Sequence, residues 1–246
     1  MSRTIKNGIC AGLLLVLCGC GGGGYGSGGG GGSGGGGYGG GGGNLSSAPG
    51  AAALNAYVQA SHQSSLTASS AGINYTLQLN SVANAVPTTF NGSSPAYSTT
   101  ETLTINKNGS MVVSRVSTLY FMLNPFVPLG RVASSGTPYA IVTSSMPLPA
   151  TISTGNSGAF QNLTYYHDST KATVDADEAD TYAVSANTAS TLFLCFNATV
   201  SGVTAQGTLD GMANGTEMDC YTVNASGTAA LYSITVAVGG TTLTFK

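Results

Sequence analysis

In a chain of 246 residues with only nine acidic side chains, seven basic ones and two histidines, the places where chemistry could occur are few. The densest is the run Asp175-Ala176-Asp177-Glu178-Ala179-Asp180, with His167-Asp168 shortly before it. Eight of the nine acidic residues lie after position 160, so this half of the chain could offer oxygens to a hard cation such as calcium. An EF-hand loop is not formed, because Asp180 stands where glycine is required and Ala186 where the bidentate glutamate belongs. The expectation is a solvated loop between two strands, with Asp175, Asp177, Glu178 and Asp180 as its metal candidates. A metal or acid-base role for His167 needs a second histidine, and nothing in the spacing brings His62 to it.

A nucleophile is also conceivable. Gly155-Asn156-Ser157-Gly158 resembles the nucleophile loop of chymotrypsin-like serine proteases, which implies Ser157 as attacking residue beside an oxyanion hole. That family orders its triad His, Asp, Ser. Here the one histidine before Ser157 is His62, and the one acidic residue between them is Glu101. A Gly-Asn-Ser-Gly turn between strands accounts for the four residues without catalysis. No other catalytic set emerges, and no pattern asks for a cofactor.

The start of the chain carries an address. Arg3 and Lys6 precede an apolar segment from Ile9 to Leu17, the layout of a secretory signal peptide and too short to span a bilayer. Leu17-Cys18-Gly19-Cys20 follows and resembles the lipobox of bacterial lipoproteins, although Ala, Ser or Thr is commoner where Cys18 stands. The resemblance implies cleavage before Cys20, lipidation of its thiol, and acyl chains such as palmitate that hold the protein on a membrane. Two or three such chains give stable anchoring, since each buried methylene contributes about 0.8 kcal/mol. Gly21, in place of an inner-membrane-retaining Asp, points to the outer membrane. The domains expected are a signal peptide over 1–19, a lipidated Cys20 with a glycine-rich tether over 20–43, and one β-rich domain over 44–246.

Composition agrees with export. Loss of Arg3 and Lys6 leaves five basic residues against nine acidic ones, so no basic patch favours nucleic acid. Cys10 and Cys18 leave with the signal and Cys20 goes to lipid, leaving Cys195 and Cys220 to form one disulfide in an oxidising compartment. Residues 21–43 are glycine broken only by Tyr25, Ser27, Ser33 and Tyr38. Such a segment buries too little to fold and acts as a coil averaging about 25 to 30 Å end to end.

The elements that must position the candidate residues come after it. Ser46, Ser47 and Pro49 open a helix expected from Ala51 to about Leu66, which would hold His62. After Gly72 the period becomes two: Ile73, Tyr75, Leu77 and Leu79 alternate with polar residues. Leu103 and Ile105 lead into Asn108-Gly109, and Met111 to Leu123 lead away, a hairpin on a primed turn. Further strands are expected over 139–143, 159–167, 181–185, 191–200, 217–223 and 231–238, the last turned back by Gly239-Gly240. The fold class expected is all-β, an antiparallel sandwich or barrel with one N-terminal helix. A membrane-spanning barrel is the lesser alternative, suggested by Phe245 near the end of the chain. Tyr120-Phe121 and Tyr165-Tyr166 should each place one ring in the core, leaving a protein or glycan partner undefined. The functional expectation is a non-enzymatic lipoprotein of the outer envelope. A hydrolase using Ser157 and a calcium-dependent adhesion module are the alternatives.

Overall fold

A computed structural model describes residues 44–246; the signal segment, Cys20 and the glycine tether lie outside the described residues. The domain is one twelve-stranded antiparallel sheet in which consecutive strands are neighbours. Its strands are β2 (His62–Ser70), β3 (Ile73–Phe90), β4 (Ser93–Lys107), β5 (Ser110–Met122), β6 (Val127–Ala133), β7 (Tyr139–Ser145), β9 (Ser157–Tyr166), β10 (Val174–Ala186), β11 (Thr191–Ser201), β12 (Gly215–Asn224), β13 (Ala229–Val238) and β14 (Thr241–Phe245). Two short strands, β1 (Ser47–Ala48) and β8 (Ile152–Ser153), pair separately. The edges of the large sheet meet where Thr67 and Lys246 exchange two backbone hydrogen bonds of 2.8 and 2.9 Å. The sheet is therefore a nearly closed barrel, the form that leaves least exposed edge.

The hairpin turns follow from local chemistry. Asn108 and Gly109 both adopt positive φ, 48° and 82°, the geometry of a type I′ turn whose twist matches the strands it joins. Gly239 and Gly240 do the same between β13 and β14, at 57° and 78°.

Side chains alternate across the wall. On β3, Tyr75, Leu77 and Leu79 are buried while Asn74, Thr76, Gln78 and Asn80 face outward; on β4, Leu103 and Ile105 point in while Thr100, Thr102, Thr104 and Asn106 point out. A membrane barrel shows the opposite arrangement, apolar outside and polar within. Phe245, which suggested a membrane barrel, is buried in the core beside Leu243 and Ile234.

The helix is shorter than expected. Helix α1 spans Gly50–Val58, and His62 opens β2 instead of lying on the helix. The apolar spacing that suggested a helix to Leu66 is explained by both elements burying their apolar side chains in the interior. Leu66 does so from the strand. Helix α1 packs inside the upper barrel, where Ala53, Leu54, Tyr57 and Val58 meet Phe121, Phe160, Phe196, Tyr221 and Val223 from four strands. A Cβ at Gly50 would collide with the Ile152 side chain, so a glycine lets the helix start against β8. A second, five-residue helix, α2 (Ala205–Leu209), lies at the lower end and was not anticipated.

Cys195 and Cys220 face each other directly on β11 and β12 and form a disulfide across 25 residues of chain. The bridge links neighbouring strands of the same sheet.

Candidate functional site

The acidic run does not form a loop. It lies in β10, which begins at Val174, well before the expected Thr181. A register shift between Val174 and Ala176 turns Asp175 inward, and from Ala176 onward strand alternation buries Glu178 and Asp180 while Asp177 points outward and accepts a 2.8 Å hydrogen bond from Thr164 Oγ1. Glu178 pairs with Arg131, and Asp180 accepts from Gln161 Nε2 at 2.6 Å. They therefore do not converge on one ion. The solvated-loop expectation failed because Asp175, Glu178 and Asp180 occupy inward positions of a wall whose interior is polar, a placement that the acidic composition of the run does not signal.

That interior forms a belt between the α1-filled upper half and the apolar lower half. Glu101 on β4, Glu178 and Asp180 on β10, and Glu217 and Asp219 on β12 are all buried, with Arg131 on β6 the buried cation among the described residues. Arg131 Nη2 donates to both oxygens of Glu178 at 3.0 and 2.9 Å, its guanidinium lies 4.9 Å from the Tyr165 ring centroid, and Tyr165 Oη donates to Glu178 Oε2 at 2.9 Å. One guanidinium cannot neutralise five carboxyls, and an unpaired buried charge is costly. The belt resolves this with protons. Burial raises Glu101 to about 7 against the pull of Ser81 and Arg131. Burial, reinforced by Glu101, holds Asp219 well above the carboxylate range, and burial with Glu178 does the same for Asp180. Burial raises Glu178 too, although Arg131 opposes it. The Tyr57 hydroxyl of α1 is also raised, by burial and then by Glu101 and Asp219, so the helix reaches the belt.

Below the belt a cavity of about 290 Å³ opens beside Arg115, Ser117, Arg131, Thr137, Tyr165 and Asp210. This is the lower edge of the size range for small-ligand sites. Arg115 Nη2 donates to the Gly211 carbonyl at 3.2 Å and so ties the segment after α2 to the wall.

At the same end, the end of β9, the start of β10 and the C-terminal cap of α2 bring together His167, Asp175 and Asp210. One ligand-capable atom from each lies within 4.8 Å of the others. Thr204 caps α2 by accepting from the Gly207 amide at 3.1 Å, and its own amide donates to the Asp175 carbonyl at 2.8 Å. A Cβ at Gly207 would collide with that carbonyl, so glycine permits the helix to sit against β10. His167 Nδ1 lies 2.7 Å from Asp210 Oδ2, and Gln206 Nε2 donates to both Asp210 oxygens at 3.1 and 3.2 Å. His167 is raised by its hydrogen bond to Asp210. Burial pushes Asp210 up, but the bonds from His167 and Gln206 outweigh it and leave it lowered. Burial, followed by a side-chain hydrogen bond to Asp210 and the charge of that residue, raises Asp175 to about 6.

The remaining expected residues are dispersed. Ser157 begins β9 and His167 follows its last residue, a separation of about 33 Å along a ten-residue strand. His62 stacks on Tyr57 with centroids 4.0 Å apart and bonds the Tyr57 carbonyl at 2.7 Å. Ser157 is exposed, and Asn156 beside it makes the 2.7 Å turn contact with the Ser153 amide. Phe121 and Tyr165 are the core members of their aromatic pairs. Asp210 and Gln206 escaped the sequence reading because a five-residue helix leaves no periodic signal. Only Thr204, three residues before Gly207, hinted at a cap.

No family model, curated protein or solved structure matches this chain.

Proposed function

We propose that this chain is a lipid-anchored component of the cell envelope, held in the outer membrane by acyl chains on Cys20, with the barrel carried on a glycine tether as a non-enzymatic binding or surface module. The observation that carries the proposal is Leu17-Cys18-Gly19-Cys20 behind its apolar segment. The wall of the barrel supports it: on β3 and β4 the outward positions are mainly Ser, Thr, Asn and Gln and the inward ones apolar, the reverse of a membrane barrel, which fits attachment through acyl chains. The disulfide fits an oxidising compartment. Binding is assigned to the lower mouth, where the cavity opens; the upper end is filled by α1.

Peptide mass spectrometry of protein purified from membranes tests the anchor. The expected N-terminal peptide begins at Cys20 and carries the mass of a diacylglycerol with or without an amide-linked acyl chain. An unmodified Cys20, or a mature N-terminus elsewhere, contradicts the proposal.

A further inference from the structure

We propose that His167, Asp175 and Asp210 form a binding site for a divalent cation of the zinc class at the lower mouth of the barrel. The cluster alone would not establish a site. The deciding feature is Asp175, which is fully buried and whose two carboxylate oxygens receive no hydrogen bond from an amide, hydroxyl or cationic donor among the described residues; the group it meets is a second acid, Asp210, and one of its oxygens lies within 4.8 Å of its counterparts on His167 and Asp210. Buried carboxylates ordinarily accept hydrogen bonds, and one left without a donor beside a second carboxylate is a place where positive charge is missing. For Glu178 and Asp180 the chain supplies donors of its own, Arg131 and Gln161. Asp175 meets only another acid, Asp210, and the partly exposed imidazole of His167 close by.

The donor set selects the metal. Calcium takes six to eight oxygens, and this cluster offers two carboxylates and an imidazole nitrogen. Imidazole with carboxylate suits zinc and its neighbours among the divalent transition metals. Zinc bonds of about 2.0 to 2.2 Å in a tetrahedron hold ligand atoms about 3.3 to 3.6 Å apart. The 2.7 Å contact of His167 with Asp210 therefore has to open by less than about an ångström, and the approach of Asp175, within 4.8 Å, to close by up to about 1.5 Å. His167 has the freedom to do this, since its side chain is 44% exposed and follows the end of β9. That exposure also gives the ion a route in. Water or the Gln206 carboxamide completes the shell, and Gln206 already contacts Asp210.

The position gives the ion a consequence. Asp210 borders the cavity, and the segment from Thr204 to Asp210 is fastened to the barrel by the Thr204 and Arg115 bonds and the packing of Gly207. A bound ion would add a fourth fastening, from the C-terminal cap of α2 to both β9 and β10. The inference does not depend on how the protein is anchored.

The test uses the untagged full chain, purified in detergent, stripped with EDTA and dialysed, then titrated with Zn²⁺ by calorimetry and with Co²⁺ by visible absorption. The expected result is one Zn²⁺ per chain, a raised melting temperature, and Co²⁺ d–d bands that excess Zn²⁺ removes. Asp175→Asn and His167→Ala should each lower Zn²⁺ affinity at least tenfold and abolish the bands, with the metal-free circular dichroism spectrum unchanged. His167→Ala guards against a folding artefact at the buried aspartate. Failure of the wild-type chain to bind Zn²⁺, or undiminished stoichiometric binding by the His167→Ala chain, would overturn the proposal.

Discussion

The two halves of this barrel solve the same problem differently. A twelve-stranded wall encloses more space than its own side chains readily fill, and the upper half fills it with α1, whose Leu54, Tyr57 and Val58 meet aromatic residues from several strands. The lower mouth has only the five-residue α2, fastened by a cap, an arginine and a close glycine contact, and it keeps a cavity and a cluster of ionisable groups. Between the halves the belt pairs Glu178 with Arg131, while burial pushes Glu101, Asp180 and Asp219 toward the protonated form. Packing is thus closed around α1, while at the lower mouth a cavity and a group of ionisable side chains stand beside the apolar cluster of β3, β4, β13 and β14. Regions that bind are drawn from the less consolidated end of a fold.

The comparison can be broken most sharply at the belt. Arg131→Ala leaves Glu178 buried without its cation and should cost about 3 to 5 kcal/mol in denaturant unfolding, while replacing both residues by methionine should recover most of the loss. Equal losses in the single and double variants would mean that the ion pair is not what the belt depends on. The upper half comes next. Leu54→Ala, in the centre of the α1 contact, should cost about 2 to 5 kcal/mol, whereas Leu209→Ala on α2, where the side chain is 80% exposed, should stay within about 0.5 kcal/mol. Similar losses at the two helices would erase the distinction between the ends.

The belt also sets a pH dependence of known sign. Glu101 has an ordinary value of 4.5 and a folded value of about 7, so the folded chain binds this proton more tightly than the unfolded one. Its contribution is fully present below pH 4.5 and is lost as pH rises to 7, a difference of about 3 kcal/mol. The groups facing it are Ser81, Arg131, Asp219 and Tyr57. Asp219 and Asp180 are raised and push the same way, as do the raised His167 and Asp175 at the mouth. Melting temperature should therefore be higher at pH 5 than at pH 8. Glu101→Gln should flatten that slope, and a wild-type maximum at pH 8 would show that the belt is charged and solvated.

Much of the fold was legible because its causes are local. Asn108-Gly109 and Gly239-Gly240 announced their hairpins through the positive φ they permit, and the alternation from Ile73 to Leu79 announced a wall with one wet face. Cys195 and Cys220 were paired by elimination, but that they stand opposite each other on adjacent strands depends on register. The failures have separate causes. Sequence patterns assume an apolar inside, so Asp175 to Asp180 suggested a solvated loop when three of the four acids are buried, Glu178 and Asp180 in the polar belt and Asp175 at the lower mouth. The helix was extended through His62 and Leu66 because a turn of three residues and a strand that also buries Leu66 kept the apolar spacing going. Asp210 reaches Asp175 and His167 only through the fold of the segment after β11, which no short-range pattern records.

The central claim is that the barrel depends on Cys20 for attachment to the membrane. Phase partition in Triton X-114 of the wild-type chain and of Cys20→Ser, each expressed with its own signal, tests it most directly. The account predicts wild type in the detergent phase and the variant in the aqueous phase as a soluble, disulfide-bonded protein. Recovery of Cys20→Ser in the detergent phase would contradict it.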